Sequence, residues 1–183
     1  MTSGLAERRP VWIEPAAPED CRAIAEVHVE SWRQAYRGLL PAPYLASLSV
    51  ADREALWRRV LAERRADVLV ARDAAAQVVG FLAFGASRDD DAPGGQAEVM
   101  ALYVRPACWS TGAGRRLWLA ALRRLRGQAY RTVGLWVACG NERATRFYAR
   151  AGFAAEPASR RPVELGSARL EEIRYVLALP WVA

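Results

Sequence analysis

Apolar positions recur along this chain with two periods, about 3.6 residues and 2 residues, which predict helices and strands respectively. A short apolar run at Val11–Glu14 predicts a strand, and Pro18 then predicts a helix start. Gly38–Pro43 predicts a break, followed by a second helical region over Tyr44–Leu61. One face of the first helix is expected to carry Ile24, Val27, His28, Ser31, Trp32 and Ala35.

The middle of the chain predicts strands. Asp67–Arg72 and Gln77–Ala86 are typical of a hairpin with Asp73–Ala76 as its turn, and the polar stretch Ser87–Gly95 predicts a loop. Gln96–Val104 does not alternate cleanly, which indicates a central strand that is buried on both faces.

The second half of the chain mixes helices and strands. Asn141 has the side chain of a helix N-cap, and Gly152 is expected to end that helix. This order of elements predicts an α/β (α+β) fold, in which a mixed sheet is flanked by helices. The predicted elements are a helix at Gly112–Arg126, a strand at Thr132–Ala138, a helix from Asn141, a strand from Phe153, a polar turn region at Ser159–Ala168 and a last strand at Ile173–Leu179.

Composition narrows the function classes. The 183 residues predict a disordered lead at 1–10 and a single domain at 11–180, with 52% hydrophobic and 25% charged residues as in a soluble globular protein. All the basic side chains are Arg and the net charge is +6, yet they are scattered, so no nucleic-acid partner is expected. No apolar run is long enough for a membrane span. Three widely spaced cysteines without a CxxC pair indicate reduced thiols in a cytoplasmic protein with no bound metal.

A candidate anion site follows the central strand. Leu102–Pro106 ends an apolar run, and Ser110–Leu117 then opens an Arg-rich helix through a Gly-x-Gly turn at Gly112 and Gly114. The glycines allow a ligand to approach backbone N–H groups at the helix start, where an anion such as a pyrophosphate is stabilised. No Gly-Lys-Ser/Thr follows, and Leu117 stands where the dinucleotide fingerprint has its third Gly.

A second segment resembles a known family. Asn141–Phe153 is similar to the N-x-x-A-x-x-F-Y-x-x-x-G-F motif of the GNAT superfamily of N-acetyltransferases, and the strand-Pro-turn-helix segment resembles that family's pyrophosphate-binding motif. Ser31–Pro41 also resembles one bacterial branch of the superfamily. The resemblance implies a mostly antiparallel sheet and the direct transfer of acetyl from acetyl-CoA to an amine in a ternary complex. A homodimer is a family-level expectation.

The resemblance also implies roles for particular residues. Tyr148 matches the tyrosine that protonates the CoA sulfur, and Glu98 is a candidate base; core packing and an ion pair are the alternatives. Backbone N–H groups near Met100–Leu102 are expected to polarise the thioester oxygen. The residues expected to bind the cofactor are Leu102, Tyr103, Val104, Ser110, Thr111, Gly112, Ala113, Gly114, Arg115, Asn141, Ala144, Phe147 and Tyr148.

The chain departs from the family pattern at Trp109, where Gln or Arg is usual; Arg105, Arg115 or Arg116 are candidates to compensate. His28, Trp32 and Tyr36 are candidates for the acceptor pocket, although aromatic residues at helical spacing are more often core. Three functions stay open. A small-molecule acetyltransferase predicts a closed pocket near Ser159–Ala168, a protein acetyltransferase predicts an open groove, and a regulatory module predicts coenzyme binding without turnover.

Overall fold

The computed structural model describes residues 10–166 and 168–179. The helices are α1 Cys21–Ala35, α2 Ala42–Ser47, α3 Val50–Ala62, α4 Ala113–Gly127 and α5 Glu142–Arg150. The strands are β1 Trp12–Pro15, β2 Asp67–Arg72, β3 Val78–Ala86, β4 Gln96–Val104, β5 Thr132–Ala138, β6 Ala154–Leu165 and β7 Ala168–Ala178. Short 3₁₀ turns at Pro18–Asp20 and Pro106–Cys108 precede α1 and follow β4.

All seven strands form one sheet in the order β1-β2-β3-β4-β5-β7-β6. Neighbouring strands are antiparallel except β4 and β5, which are parallel. Helices α1 and α3 pack on one face of the sheet and α4 and α5 on the other, so two separate apolar cores sandwich it. The expected mixed, mostly antiparallel sheet flanked by helices is confirmed.

Most of the predicted elements are confirmed, and β4 and β5 have the predicted bounds. Two predictions were wrong. The second helical region is two helices, because Ser49 accepts a hydrogen bond from the Asp52 amide (3.2 Å) and starts α3 anew. The polar stretch Ser159–Ala168 lies mostly in β6, where a register shift between Glu156 and Arg161 lets exposed polar residues continue the ladder with β7. Most of the predicted lead (1–9) and position 180 lie outside the described residues.

The central parallel pair is short. Both β4 and β5 lie wholly within the described residues, and they pair only over Gln96–Glu98 and Thr132–Gly134. Beyond those residues the two strands separate. We call the space between residues 99–104 of β4 and residues 135–138 of β5 the gap.

A bulge in β4 lies where the gap begins. Ala101 is opposite Ala83 and Val99 is opposite Phe84 on β3, so Met100 is an extra residue in the ladder. Before the bulge Val99 belongs to the core under α4, whereas after it Tyr103 belongs to the core under α1 and α3. Because side chains alternate along a strand, the extra residue puts Tyr103 on the same face of the sheet as Glu98.

The β3–β4 contact beside the gap depends on Gly80. A Cβ at this position would lie 3.0 Å from both the Tyr103 carbonyl oxygen and the Val104 Cγ2. We therefore expect Gly80→Ala to lower the free energy of unfolding by about 1–3 kcal/mol, measured by urea denaturation.

Gly127→Ala is the matched control, because Gly127 ends α4 and a Cβ there would have no neighbour within 4 Å. This change should leave stability unchanged or raise it by about 0.4–1 kcal/mol. A Gly80→Ala protein as stable as the wild type would contradict the tight packing of β3 on β4.

Candidate functional site

The turn after β4 presents uncapped amides. Gly112 is the N-cap of α4 with a φ of 97°, a left-handed conformation that glycine adopts at little cost, and Ser110 has a φ of 64°. Thr111 closes the turn by donating its hydroxyl to the Cys108 carbonyl (2.7 Å). The helix start has no side-chain cap and no acidic residue in its first turn, so its free N–H groups and dipole favour an anion.

One edge of β4 faces the gap. The Arg105 amide donates to the Val79 carbonyl on β3 (2.8 Å), so the polar backbone groups of Leu102 and Val104 point the other way, into the gap. The Val104 carbonyl already accepts from the Trp109 indole N–H (2.7 Å) and the Ser31 hydroxyl (3.0 Å). The amides of Leu102 and Val104 and the Leu102 carbonyl therefore form the part of this edge that a ligand can use.

Helix α5 borders the gap on its other side. Asn141 caps the helix by accepting from the Ala144 amide (3.1 Å), as predicted. Tyr148 is buried, with its ring edge-on to Phe147 (centroids 5.2 Å apart) and Phe153 (5.5 Å). Burial raises the pKa of Tyr148, so its hydroxyl stays protonated and can donate a proton.

Phe147 holds α5 against α4. A Cβ on Gly114 would lie 3.5 Å from the Phe147 ring, at ordinary contact distance. Gly114 thus lies at the close approach of the two helices next to the Gly112 turn. Phe147 packs against the core under α4, and Ala144 lies beside it.

The predicted acceptor residues form one aromatic cluster on the α1 face. His28 stacks on Tyr103 (5.1 Å between centroids) and lies 5.6 Å from Trp32, which lies 4.7 Å from Tyr36. His28 accepts from the Trp57 indole at Nδ1 (3.2 Å), and burial followed by the nearby Arg53 lowers its pKa to about 3. His28 is therefore a neutral, packed core residue at physiological pH.

Tyr36 is the C-cap of α1 and lies next to Trp32 in this cluster. It lies within electrostatic reach of Tyr103, Glu172 and Tyr148. Burial, then Tyr103, raises the pKa of Tyr36. The groups that act on Tyr36 thus come from both faces of the sheet, since Tyr103 belongs to the core under α1 and α3 and Tyr148 to the core under α4.

Two strand carboxylates, Glu98 and Glu172, lie on the α1 face of the sheet, and they differ in their partners. Glu98 is buried and accepts from Arg88 through the backbone amide (3.1 Å) and the guanidinium Nε (3.0 Å) and Nη2. Glu172 on β7 is opposite Ala138, the last residue of β5, and its nearest cation is Arg161 at 3.8 Å. Burial raises the pKa of Glu172, Arg161 partly offsets this, and Glu98 adds to it.

Sequence reasoning missed Glu172 and Arg143. Glu172 was visible only as a polar position alternating with Ile173 on the last strand. Arg143, in the first turn of α5, stacks over the Trp109 ring (4.1 Å to the centroid). Its sequence signal was its place two residues after the Asn141 cap, at the helix end that borders the gap.

Of the three arginines proposed to compensate for Trp109, two are bonded to other groups. Arg105 donates to Glu30 (2.7 Å) and to the Val78 carbonyl (3.1 Å), and Arg116 donates to the Val11 carbonyl (2.7 Å). Arg115 is exposed in the first turn of α4. Arg105 and Arg116 are therefore committed to other partners.

Two kinds of feature are absent from the described residues. Across 10–166 and 168–179, no group of three or more His, Cys, Asp or Glu side chains is arranged to hold a metal ion. No helix in this part of the chain is long and apolar enough to cross a membrane.

Comparison with known proteins agrees with the architecture. An N-acetyltransferase of Bacillus subtilis (strain 168), described as uncharacterized and called YuaI, is 30% identical over 163 residues, covering 89% of this chain and 90% of that protein. An N-acetyltransferase structure from Staphylococcus aureus Mu50 superposes with a TM-score of 0.73 at 19% identity, covering 93% of this chain and 99% of that one.

A structure of a putative acetyltransferase of Salmonella typhimurium, yncA with its cofactor acetyl-CoA, has a TM-score of 0.68 at 22% identity, covering 94% and 96% of the two chains. The family described as the acetyltransferase (GNAT) family matches residues 20–153. This match spans most of the chain, and the fold and the YuaI relative agree with it, so the chain belongs to the GNAT acetyltransferase family and is an acetyl-CoA-dependent acyltransferase.

Proposed function

We propose that this enzyme transfers an acetyl group from acetyl-CoA to the primary amine of a small molecule, by direct attack in a ternary complex. The observation that carries the proposal is the gap, because it leaves one edge of β4 free next to an uncapped helix start. An extended ligand with an anionic end fits these two features together. The acetyl-CoA in the yncA structure is consistent with such a ligand.

The cofactor lies along β4. The pantetheine pairs with the free backbone groups of Leu102 and Val104 as an added strand, beside Tyr103. The pyrophosphate binds the turn of Ser110, Thr111 and Gly112 and the first amides of α4, from Ala113 through Gly114 to Arg115. Asn141, Ala144, Phe147 and Tyr148 flank the cofactor from α5.

Besides deprotonation of the amine, the transfer requires three actions from the protein. Holding amine and thioester together supplies an entropic advantage. The backbone N–H groups at the β4 bulge, near Met100–Leu102, polarise the thioester oxygen. Tyr148, whose hydroxyl is protonated at neutral pH, gives its proton to the thiolate that leaves.

The proton of the incoming ammonium needs a carboxylate acceptor. Glu98, the candidate from the sequence, accepts three hydrogen bonds from Arg88, which occupy both of its oxygens. Glu172 has one ion-pair partner, Arg161 at 3.8 Å, and accepts no hydrogen bond from it at that distance. It lies opposite the last residue of β5 and acts electrostatically on Tyr36. We therefore favour Glu172 as the base, acting directly or through water.

The β6–β7 hairpin covers one side of the proposed acceptor pocket. The end of that hairpin packs against α2 and the segment before it, forming a third apolar cluster. This packing supports a small-molecule acceptor over a protein substrate, because a peptide backbone would need an open groove there. The cluster includes Leu40, Leu45, Leu48, Leu165, Ala168 and Leu170.

The direct test is release of free thiol from acetyl-CoA in the presence of varied amines. We expect turnover with at least one small primary amine and none with peptides that carry a free N-terminus or a lysine. Turnover confined to peptides would favour the protein-acetyltransferase alternative. Coenzyme binding by calorimetry without any acetylated product would favour a regulatory module.

Glu172→Gln tests the base. Because burial raises the pKa of Glu172, the carboxyl should lose its proton at a pH above the usual range for glutamate. The value of kcat/KM should rise with pH as this proton is lost. The variant should lose this acidic limb and about 100-fold in kcat, with unchanged affinity for coenzyme A.

Glu171→Gln is the matched control, since the neighbouring Glu171 is exposed and pairs with Arg160 (2.9 Å). It should keep both the rate and the pH profile. A Glu172→Gln enzyme with a normal acidic limb would exclude Glu172 as the base and return the role to Glu98.

A further inference from the structure

The side chains of Trp109 and Arg143 contact each other beside the gap. Trp109 belongs to the turn that follows β4, and Arg143 belongs to the first turn of α5. The guanidinium lies 4.1 Å from the indole centroid, and its Nη2 donates to the Ser110 hydroxyl (3.3 Å). One side chain from each border of the gap thus contacts the other at the turn that presents the uncapped amides.

Hydrogen bonding to β4 fixes the Trp109 ring. Its indole N–H donates to the Val104 carbonyl at 2.7 Å, and Ser31 donates to the same oxygen. The ring is therefore held along the strand and offers a face to Arg143. Stacking on an aromatic face leaves the N–H groups at the edge of a guanidinium free for a planar anion such as phosphate.

Arg143 has a positive charge without an anionic partner. Among the described residues it pairs with no carboxylate, whereas Arg146, one turn further along the same helix, bonds Glu142 (2.9 Å). Burial, then the neighbouring Arg146, lowers the pKa of Arg143. A bound anion would offset both the desolvation of the Arg143 guanidinium and its repulsion by Arg146.

We propose that Arg143, positioned by Trp109, binds the pyrophosphate of the coenzyme and supplies the side-chain contact that residue 109 itself cannot make. Trp109 is a positioning residue, because its own N–H is already bonded to β4. The contact with Ser110 directs Arg143 to the pyrophosphate rather than to the 3′-phosphate, since Ser110 is part of the turn. This inference rests on the proposed function, because it concerns the same coenzyme.

Calorimetric titration of the full chain with coenzyme A tests the role of Arg143. Arg143→Gln should raise the Kd about 10-fold, the effect of losing one charge-assisted hydrogen bond to phosphate. The increase should be the same with dephospho-coenzyme A, which keeps the pyrophosphate and lacks the 3′-phosphate. Arg146→Gln is the matched control and should change the Kd by less than about 2-fold.

The outcomes separate this inference from the proposed function. Wild-type protein that does not bind coenzyme A would overturn both. Wild-type binding with an unchanged Kd in Arg143→Gln would overturn only the inference. An effect of Arg143→Gln that disappears with dephospho-coenzyme A would also overturn it, because Arg143 would then contact the 3′-phosphate.

Trp109→Leu tests the positioning role. The variant removes the stacking face, so it should raise the Kd for coenzyme A several-fold in the wild-type background, about 3- to 10-fold. In the Arg143→Gln background it should add little, because the two residues act as one unit. Trp109→Phe keeps a ring and should recover part of the loss. Independent, multiplying effects of the two substitutions would contradict the positioning role.

Discussion

The site depends on one constraint, the early end of the parallel pairing between β4 and β5. Three residues of each strand pair, and the strands then separate where β4 gains an extra residue at Met100. A fully paired β4 would have no free edge, because β3 and β5 would take all of its backbone groups. The bulge at Met100 also places Tyr103 on the α1 face of the sheet, beside the gap.

In the proposed function, the separation assigns the coenzyme to one face of the sheet and the amine to the other. The α4 and α5 face carries the amides of the turn and the buried Tyr148, which fit an anionic coenzyme and its leaving thiolate. The α1 face carries Tyr36 and Glu172, which fit an amine and its proton. The proposed direct transfer in a ternary complex would use this arrangement, because it brings the two reactants together from opposite sides of the sheet.

Sequence patterns could predict most of the helices and strands. The bounds of β4 and β5 and the Asn141 cap follow from local periodicity and capping chemistry, which need few contacts from elsewhere in the chain. The length of β6 could not be predicted, because its exposed arginines look like a turn until the ladder with β7 supplies their partners, as Glu171 does for Arg160.

The fine structure of the site escaped prediction for the same reason. Glu98 has the right residue type at the right strand, but its ion pair with Arg88 comes from a loop. Glu172 is near Tyr36 only after β7 pairs with β5, and Arg143 reaches Trp109 only after α5 packs beside α4. Each of these contacts joins residues of different elements, which the periodicity of a single element does not encode.

A crystal structure of the protein with bound coenzyme A is the most direct test of the gap as the functional site. The pantetheine should lie in the gap, paired with Leu102, and the pyrophosphate should contact the amides at Gly112. Coenzyme bound elsewhere, with β4 and β5 closed on each other or the Trp109 indole filling the turn, would contradict this assignment.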